Sequence, residues 1–194
     1  MIKDFVVLDN FLKDPNYFIQ MSKTIEYYSN ENIVLDGITL CKNTNKPDGK
    51  WRGYRSDTIG IIDNTLFLDT CNHLIQSLFH TTSYTYRISC YMHILSEKNI
   101  PDKDWLHIDP GSIFAGVVYL NNNIVNTAAA GTTIIDKVGK KNIIKNKFNR
   151  LVFYKANLLH KPNKGFGNNI NNSRLTLTFF IHDLILQYNY NTTV

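Results

Sequence analysis

In Tyr84-Thr85-Tyr86-Arg87-Ile88-Ser89-Cys90-Tyr91-Met92-His93-Ile94 the side chains alternate. Tyr84, Tyr86, Ile88, Cys90, Met92 and Ile94 fall on one side, and Thr85, Arg87, Ser89, Tyr91 and His93 on the other. A period of two marks a strand with one buried face. Upstream of this stretch the period is 3.6. Asp14 followed by Pro15 reads as a helix cap and a first-turn proline. Phe18, Ile19, Ser22, Ile25 and Tyr28 then recur at helical spacing, which predicts a helix over 15–28. A second helix opens near Asp63, with Phe67, Cys71, Leu74, Ile75 and Leu78 as its apolar stripe. A short strand at 5–8 precedes both.

Downstream, strands are expected at 105–109, 113–120, 131–136, 150–154 and 174–182, separated by Gly, Asn, Pro and Lys clusters. In the last of them Leu175, Leu177, Phe179 and Ile181 face one way, and Arg174, Thr176, Thr178 and His182 the other. Helices followed by many short strands predict a mainly β fold, a sandwich or barrel backed by helices. One domain over 1–194 is expected, with 1–80 as helical support and 84–182 as the β core. A chain of this length buries roughly 70% of its unfolded surface and needs no disulfide or metal to fold.

The formal charge of +5 is read as a solvated lysine surface. Lys137, Lys140, Lys141, Lys145 and Lys147 cluster, but no aromatic residue is interleaved before Phe148, as a single-stranded nucleic-acid groove would want. Nucleic acid is therefore not expected as a partner. The three cysteines, Cys41, Cys71 and Cys90, are odd in number and lack close metal-ligand spacing, which favours a reducing compartment. No apolar run approaches the ~18 residues of a membrane span. A cytoplasmic protein with no membrane contact is expected; the oligomeric state is open.

Trp105-Leu106-His107-Ile108-Asp109 carries the chemistry. At strand spacing, His107 and Asp109 share a face, so imidazole and carboxylate point at one spot. A second histidine would complete a facial triad with open positions, which suits non-haem Fe(II). By itself His-x-Asp is a weak signal. Leu151-Val152-Phe153-Tyr154 leads to Leu158-Leu159-His160-Lys161-Pro162, where His160 ends an apolar stretch and is the candidate third ligand. Arg174 then opens the final strand beside Thr176. An arginine entering an apolar strand is costly unless paired, and a dicarboxylate would pair it, with bidentate geometry. Arg150 is the next arginine able to do so.

This order, His107-x-Asp109, His160, Arg174-x-Thr176, resembles the Fe(II)- and 2-oxoglutarate-dependent oxygenase superfamily, most closely its prolyl-hydroxylase-like branch. The likeness covers 90–182, about half of the chain. It includes Val117-Val118-Tyr119-Leu120-Asn121 after the motif, Ala130-Gly131-Thr132-Thr133 beyond it, and Tyr91 on the preceding strand. The second arginine that nucleic-acid demethylating members carry on the last strand is absent from Leu175 to Ile181.

The resemblance implies a double-stranded β-helix, or jelly roll, with N-terminal helices packed on the larger sheet. It implies Fe(II) on His107, Asp109 and His160. The far carboxylate of 2-oxoglutarate would lie on Arg174, helped by Thr176, Tyr119 and Tyr91, with O2 as the other co-substrate. The implied reaction hydroxylates an amino-acid or peptidyl side chain and releases succinate and CO2. The substrate is expected to be a small molecule or a peptide or protein, met by Trp51, Arg52 and Arg55 in the polar stretch 42–56. The alternative is a metal- or ligand-binding jelly roll without activity. His73, His80 and His182 are read as surface or structural groups, and His93 as a partner-satisfied strand histidine.

Overall fold

The computed structural model describes residues 3–29, 35–38, 51–99, 105–122 and 127–187. In chain order these form β1 (Phe5–Leu8), α1 (Pro15–Met21), β2 (Tyr27–Ser29), β3 (Tyr54–Thr58), α2 (Ile59–Ile62) and α3 (Asn64–Phe79). There follow β4 (Ser83–Leu95), β5 (Phe114–Tyr119), β6 (Thr132–Ile135), β7 (Lys141–Ile144), β8 (Leu151–Lys155), β9 (His160–Pro162) and β10 (Arg174–Gln187). They pair into a seven-stranded sheet of order β1-β8-β5-β10-β4-β3-β2 and a three-stranded sheet of order β7-β6-β9. All of these pairings are antiparallel. The result is mainly β, a jelly-roll core of two sheets with helices on the larger one.

The two faces of β4 and β10 explain the layering. Cys90, Met92, Leu175, Leu177, Phe179 and Ile181 join Phe18, Ile59, Cys71, Leu74 and Ile75 from the helices in one apolar cluster. Each such side chain, once buried, stabilises the fold by about 1.5–3 kcal/mol. Helix α3 is held in place at both ends: Asp63 accepts from the Leu66 amide at 2.9 Å, and His80 caps the C-terminus in the left-handed region at φ 52°. A smaller cluster, with Ala115, Tyr119, Ile134, Val152, Tyr154 and Leu158, fills the space toward the small sheet. The other face of β4 and β10 is left to Tyr91, His93, Arg174, Thr176 and Thr178.

Four local readings of the sequence are corrected. Helix α1 stops at Met21 and does not reach 28. The Ser22 hydroxyl donates to the Ile19 carbonyl at 2.7 Å and Thr24 to that of Met21 at 3.0 Å, and such back-bonding competes with helix continuation. Tyr27, wholly buried, instead pairs with Ser56 across β2 and β3. Residues 105–109 form no strand. Their link to the sheet is one bridge, with the His107 amide donating to the His160 carbonyl at 3.0 Å and the reverse bond at 2.9 Å. Strand β7 lies in the lysine-rich stretch, where no strand was expected. Strand β10 runs on to Gln187 past an irregularity between Ile181 and Asp183.

The first 80 residues thus supply three strands of the large sheet as well as the helices. Within 42–56, Tyr54 onward is strand, and 42–50, with its Pro47-Asp48-Gly49 turn, lies outside the described residues, as does Cys41. Gly53 holds φ 77°, and a Cβ there would collide with the Ile94 carbonyl oxygen. Glycine is what lets Trp51 and Arg55 be laid against β4.

Candidate active site

Between the sheets lies a cavity of about 600 Å³. His107 and Asp109 reach it from the segment before β5, and His160 from the start of β9. The cross-bridge between His107 and His160 brings the segments together, and the Asp109 amide donates to the Ala156 carbonyl at 2.9 Å. One donor atom from each of the three side chains lies within 4.8 Å of the others. Asp109 Oδ1 is 3.7 Å from His107 Nε2, and Asp109 Oδ2 is 3.2 Å from His160 Nε2.

The protons are arranged for a cation. Nδ1 of His107 lies 3.1 Å from the Trp105 carbonyl, and Nδ1 of His160 lies 2.9 Å from that of Leu158. A carbonyl can only accept, so each Nδ1 carries the hydrogen, and the neutral form of each ring turns a bare Nε2 toward Asp109. That is the tautomer a metal-ligating histidine takes. Asp109 Oδ2 is buried and, despite its proximity to His160, no hydrogen bond reaches it. Two lone pairs facing a carboxylate repel, and a divalent cation between them removes the conflict. Burial, and next the neighbouring His160, lower the pKa of His107, which also keeps it neutral. The rings are braced: Trp105 stacks on His107 with centroids 5.0 Å apart, and Tyr154 lies 4.5 Å from His160.

Arg174 sits in the same cavity, 2% exposed. Its Nε donates to the Ala130 carbonyl at 2.9 Å, and its guanidinium lies 5.5 Å from the centre of the Tyr119 ring. Among the described residues no carboxylate pairs with it. Tyr119 is fully buried and donates to Thr132 Oγ1 at 2.6 Å, leaving its oxygen able to accept from Arg174. Burial pushes the Tyr119 phenol upward and the Arg174 guanidinium downward. Gly131 is required here, since a Cβ would meet the Ile144 carbonyl oxygen. Thr176 is buried alongside and donates to the His93 carbonyl at 3.3 Å. Arg150 faces away from the cavity and is taken up by Asp9, with Nε 2.6 Å from Oδ1.

Tyr91, Trp51 and Arg55 line the cavity too; Arg52 does not, and instead lies 5.6 Å from the centre of the Trp105 ring. His93 lines the wall and donates to the Arg52 carbonyl at 2.6 Å. His73 is no loose surface group, since its Nε2 bonds the Phe11 carbonyl at 2.7 Å. His182 borders the cavity with Ser89, whose hydroxyl lies 2.9 Å from its Nε2. Phe180 and His182 continue the face begun by Arg174, so the alternation of the last strand already carried that signal. Trp105 and Tyr154 had no such signal, because their roles depend on contacts between segments.

No protein-family model matches the sequence, and no curated protein does. Solved structures do. A 2OG-Fe(II) oxygenase family oxidoreductase from Burkholderia pseudomallei is similar at TM-score 0.60 and 14% identity, over 92% of this chain and 84% of that one. A prolyl hydroxylase from Trichoplax adhaerens, in complex with a hypoxia inducible factor peptide fragment, is similar at TM-score 0.58 and 14% identity, over 92% and 83%. The fold is that of the 2-oxoglutarate- and Fe(II)-dependent oxygenases. A non-heme alpha-ketoglutarate-dependent epimerase of nogalamycin biosynthesis shares this oxygenase fold at TM-score 0.57 and 11% identity, over 98% and 83%. The oxygenase fold therefore hosts more than one reaction.

Proposed function

We propose that this chain is an Fe(II)- and 2-oxoglutarate-dependent dioxygenase that hydroxylates an amino-acid or peptidyl side chain and releases succinate and CO2. One observation carries the reading: a His-His-Asp triad with bare Nε2 atoms shares a cavity with a buried arginine that no described carboxylate pairs. His107, Asp109 and His160 would hold the metal. Iron with 2-oxoglutarate and O2 supplies the oxidising chemistry; the chain supplies placement and exclusion of water. Arg174 binds the far carboxylate of the co-substrate, a bidentate partner for its fork. Tyr119 stays protonated and fixes the Arg174 plane, and Thr176 offers a hydroxyl beside it. The resemblance of the motifs to the prolyl-hydroxylase-like branch is what supports hydroxylation.

Among the described residues no helix is long and apolar enough to cross a membrane. Cys71 and Cys90 are buried free thiols, which supports a cytoplasmic location. The test is succinate release by iron-loaded protein over a panel of peptides and amino acids, with iron content measured for His107→Ala and His160→Ala. We expect substrate-dependent succinate in the wild type and loss of iron in both variants. Wild-type iron in both variants would sink the ligand assignment.

A further inference from the structure

The cavity continues past the triad and Arg174. Ser89 pairs with Phe180 across β4 and β10, six residues from the Leu95–Arg174 pair, or roughly 20 Å of strand at the usual rise. Ser89, Phe180 and His182 line this far end, beside Pro110 and Ser112 of the turn that follows Asp109. His182 falls at the irregularity in β10, between Ile181 and Asp183, and has no partner in the β4 ladder. An extra residue of this kind re-aims its side chain. Its ring is held between two other segments. Nδ1 lies 3.1 Å from the Gly111 carbonyl oxygen and 3.3 Å from Ser112 Oγ, and Nε2 lies 2.9 Å from Ser89 Oγ. The carbonyl can only accept, so Nδ1 carries the hydrogen, and the neutral ring presents a bare Nε2 to Ser89. The Ser89 hydroxyl gives its hydrogen to that nitrogen, and what it keeps for the cavity is lone pairs. This end is therefore built to accept a hydrogen bond. It is not built for an ammonium: among the described residues that line the cavity, Asp109 is the one carboxylate, and it faces the histidines. The Arg55 guanidinium lies 5.4 Å from the centre of the Phe180 ring, where a second positive charge would be repelled.

Resting on the oxygenase reading above, we propose that Ser89, oriented by His182, binds an amide N–H of the primary substrate at this end of the cavity. On that reading 2-oxoglutarate takes up the space between Arg174 and the triad, which leaves the far end to the primary substrate. A neutral N–H suits the lone pairs of Ser89 and meets no repulsion from Arg55. The α-nitrogen of a free amino acid is an ammonium, whereas within a peptide it is an amide. The side chain that reacts is therefore carried by a peptide. Ser89 is the binding residue and His182 the positioning one. Without the ring the hydroxyl is free to rotate and to turn its hydrogen, in place of its lone pairs, toward the substrate. Pro110 and Ser112 set this contact beside the turn that carries Asp109, so a peptide held there lies next to the triad.

Protein loaded with Mn(II) and saturated with 2-oxoglutarate is titrated by calorimetry with free L-amino acids and with end-blocked tripeptides carrying each amino acid at the centre. The best tripeptide is then tested with one backbone N–H at a time replaced by N-methyl. At least one tripeptide should bind about ten-fold or more tightly than its free central amino acid. One of its N-methylations should weaken it roughly three- to ten-fold, the range of a single neutral hydrogen bond. In Ser89→Ala the unmethylated tripeptide should bind as weakly as that N-methyl form, and the methylation should have no further effect. His182→Phe, which keeps a planar ring and drops both nitrogens, should lose most of the same discrimination with Ser89 still in place. A merely structural loss would weaken both tripeptides alike. Affinity for 2-oxoglutarate should stay within about two-fold in both variants. Ser89→Ala carries the test if His182→Phe fails to fold. Free amino acids binding as well as any tripeptide, no tripeptide binding, or an N-methyl effect that survives in Ser89→Ala overturns the subsite. The titrations are repeated in metal-free protein. A failure of Mn(II) or 2-oxoglutarate to bind then counts against the oxygenase reading alone.

Discussion

Replacing Arg174 with leucine should abolish tight 2-oxoglutarate binding while leaving the metal in place. The guanidinium is almost wholly buried, bonded to the Ala130 carbonyl, set against Tyr119 and unpaired by any described acid. Truncating one side of a buried charge pair costs about 2–5 kcal/mol. At about 1.4 kcal/mol per factor of ten, that is roughly 30- to 5,000-fold in dissociation constant. Leucine drops the bond to the Ala130 carbonyl, which keeps the Asn146 side-chain amide at 3.4 Å, and a cation buried without its counter-ion is itself destabilising. The ligand-free variant should therefore be no less stable than the wild type. The wild type should gain about 2.7 kcal/mol from 2-oxoglutarate at one hundred times its dissociation constant, and the variant almost nothing. Lysine at 174 keeps the charge but loses the fork, and should fall between the two. Binding is followed anaerobically through the charge-transfer absorption of the Fe(II) complex, and stability by thermal unfolding. The iron donors sit before β5 and on β9, so iron content should not change. If Arg174→Leu titrates like the wild type with the same iron content, the carboxylate is held elsewhere and the reasoning fails.

Two further predictions concern pH. Arg150 and then Lys147 hold the Asp9 carboxyl well below the usual carboxylate range. A depressed folded value means the stabilisation is present above the unfolded value near 3.9 and fades as the pH falls below it. The pair is half-exposed, so Asp9→Asn should cost about 1 kcal/mol or less at pH 7 in urea unfolding, and a gap that does not narrow as the pH falls from 5 toward 2 would contradict the pairing. Burial, with Arg55 nearby, pushes His93 down to about 3, against about 6.5 when unfolded. The unfolded chain then takes up a proton below pH 6.5 that the folded protein refuses, so stability falls by up to ~1.4 kcal/mol per pH unit from there toward pH 3. His93→Gln removes that contribution, and identical pH slopes in both proteins would refute it.

The parts of this molecule that were legible in the sequence are those set by local period. Asp63 capping the stripe of Phe67, Cys71, Leu74 and Ile75 gives α3 almost to the residue, and the alternation at 84–94 gives the body of β4. What failed depended on competition between segments. Ser22, Ile25 and Tyr28 fit a helix as a pattern, but Tyr27 gains more by burial beside β3. His107 and Asp109 do meet the same cavity as strand spacing suggested, yet no strand carries them. One bridge to His160 and one bond to Ala156 hold the pair, and no periodicity reports such links. Likewise β7 pairs with β6 through its backbone, and its lysines concealed the strand. The candidate site residues stood out because their chemistry is unusual for their positions: an arginine heading an apolar strand, and a histidine ending one.

That same unusual chemistry is the ground for proposing an oxygenase over a jelly roll that merely binds a metal. A metal-storing protein has use for His107, Asp109 and His160 but none for a buried Arg174. In such a protein leucine at 174 would avoid a desolvation cost of several kcal/mol, a large share of the roughly 5–15 kcal/mol that keeps a domain folded. An acid supplied by the chain would offset the cost as well, and none of the described residues does so. The asymmetry is sharpened by Arg150, which is equally basic, lies at the surface and is fully engaged by Asp9. Among the described residues, then, the half-buried Arg150 has an acid partner and the wholly buried Arg174 has none. Asp109 Oδ2 repeats the pattern a short distance away, buried and unbonded beside two bare imidazole nitrogens. On the proposed reading, an anion at Arg174 and a cation held by His107, Asp109 and His160 would satisfy both within a single cavity.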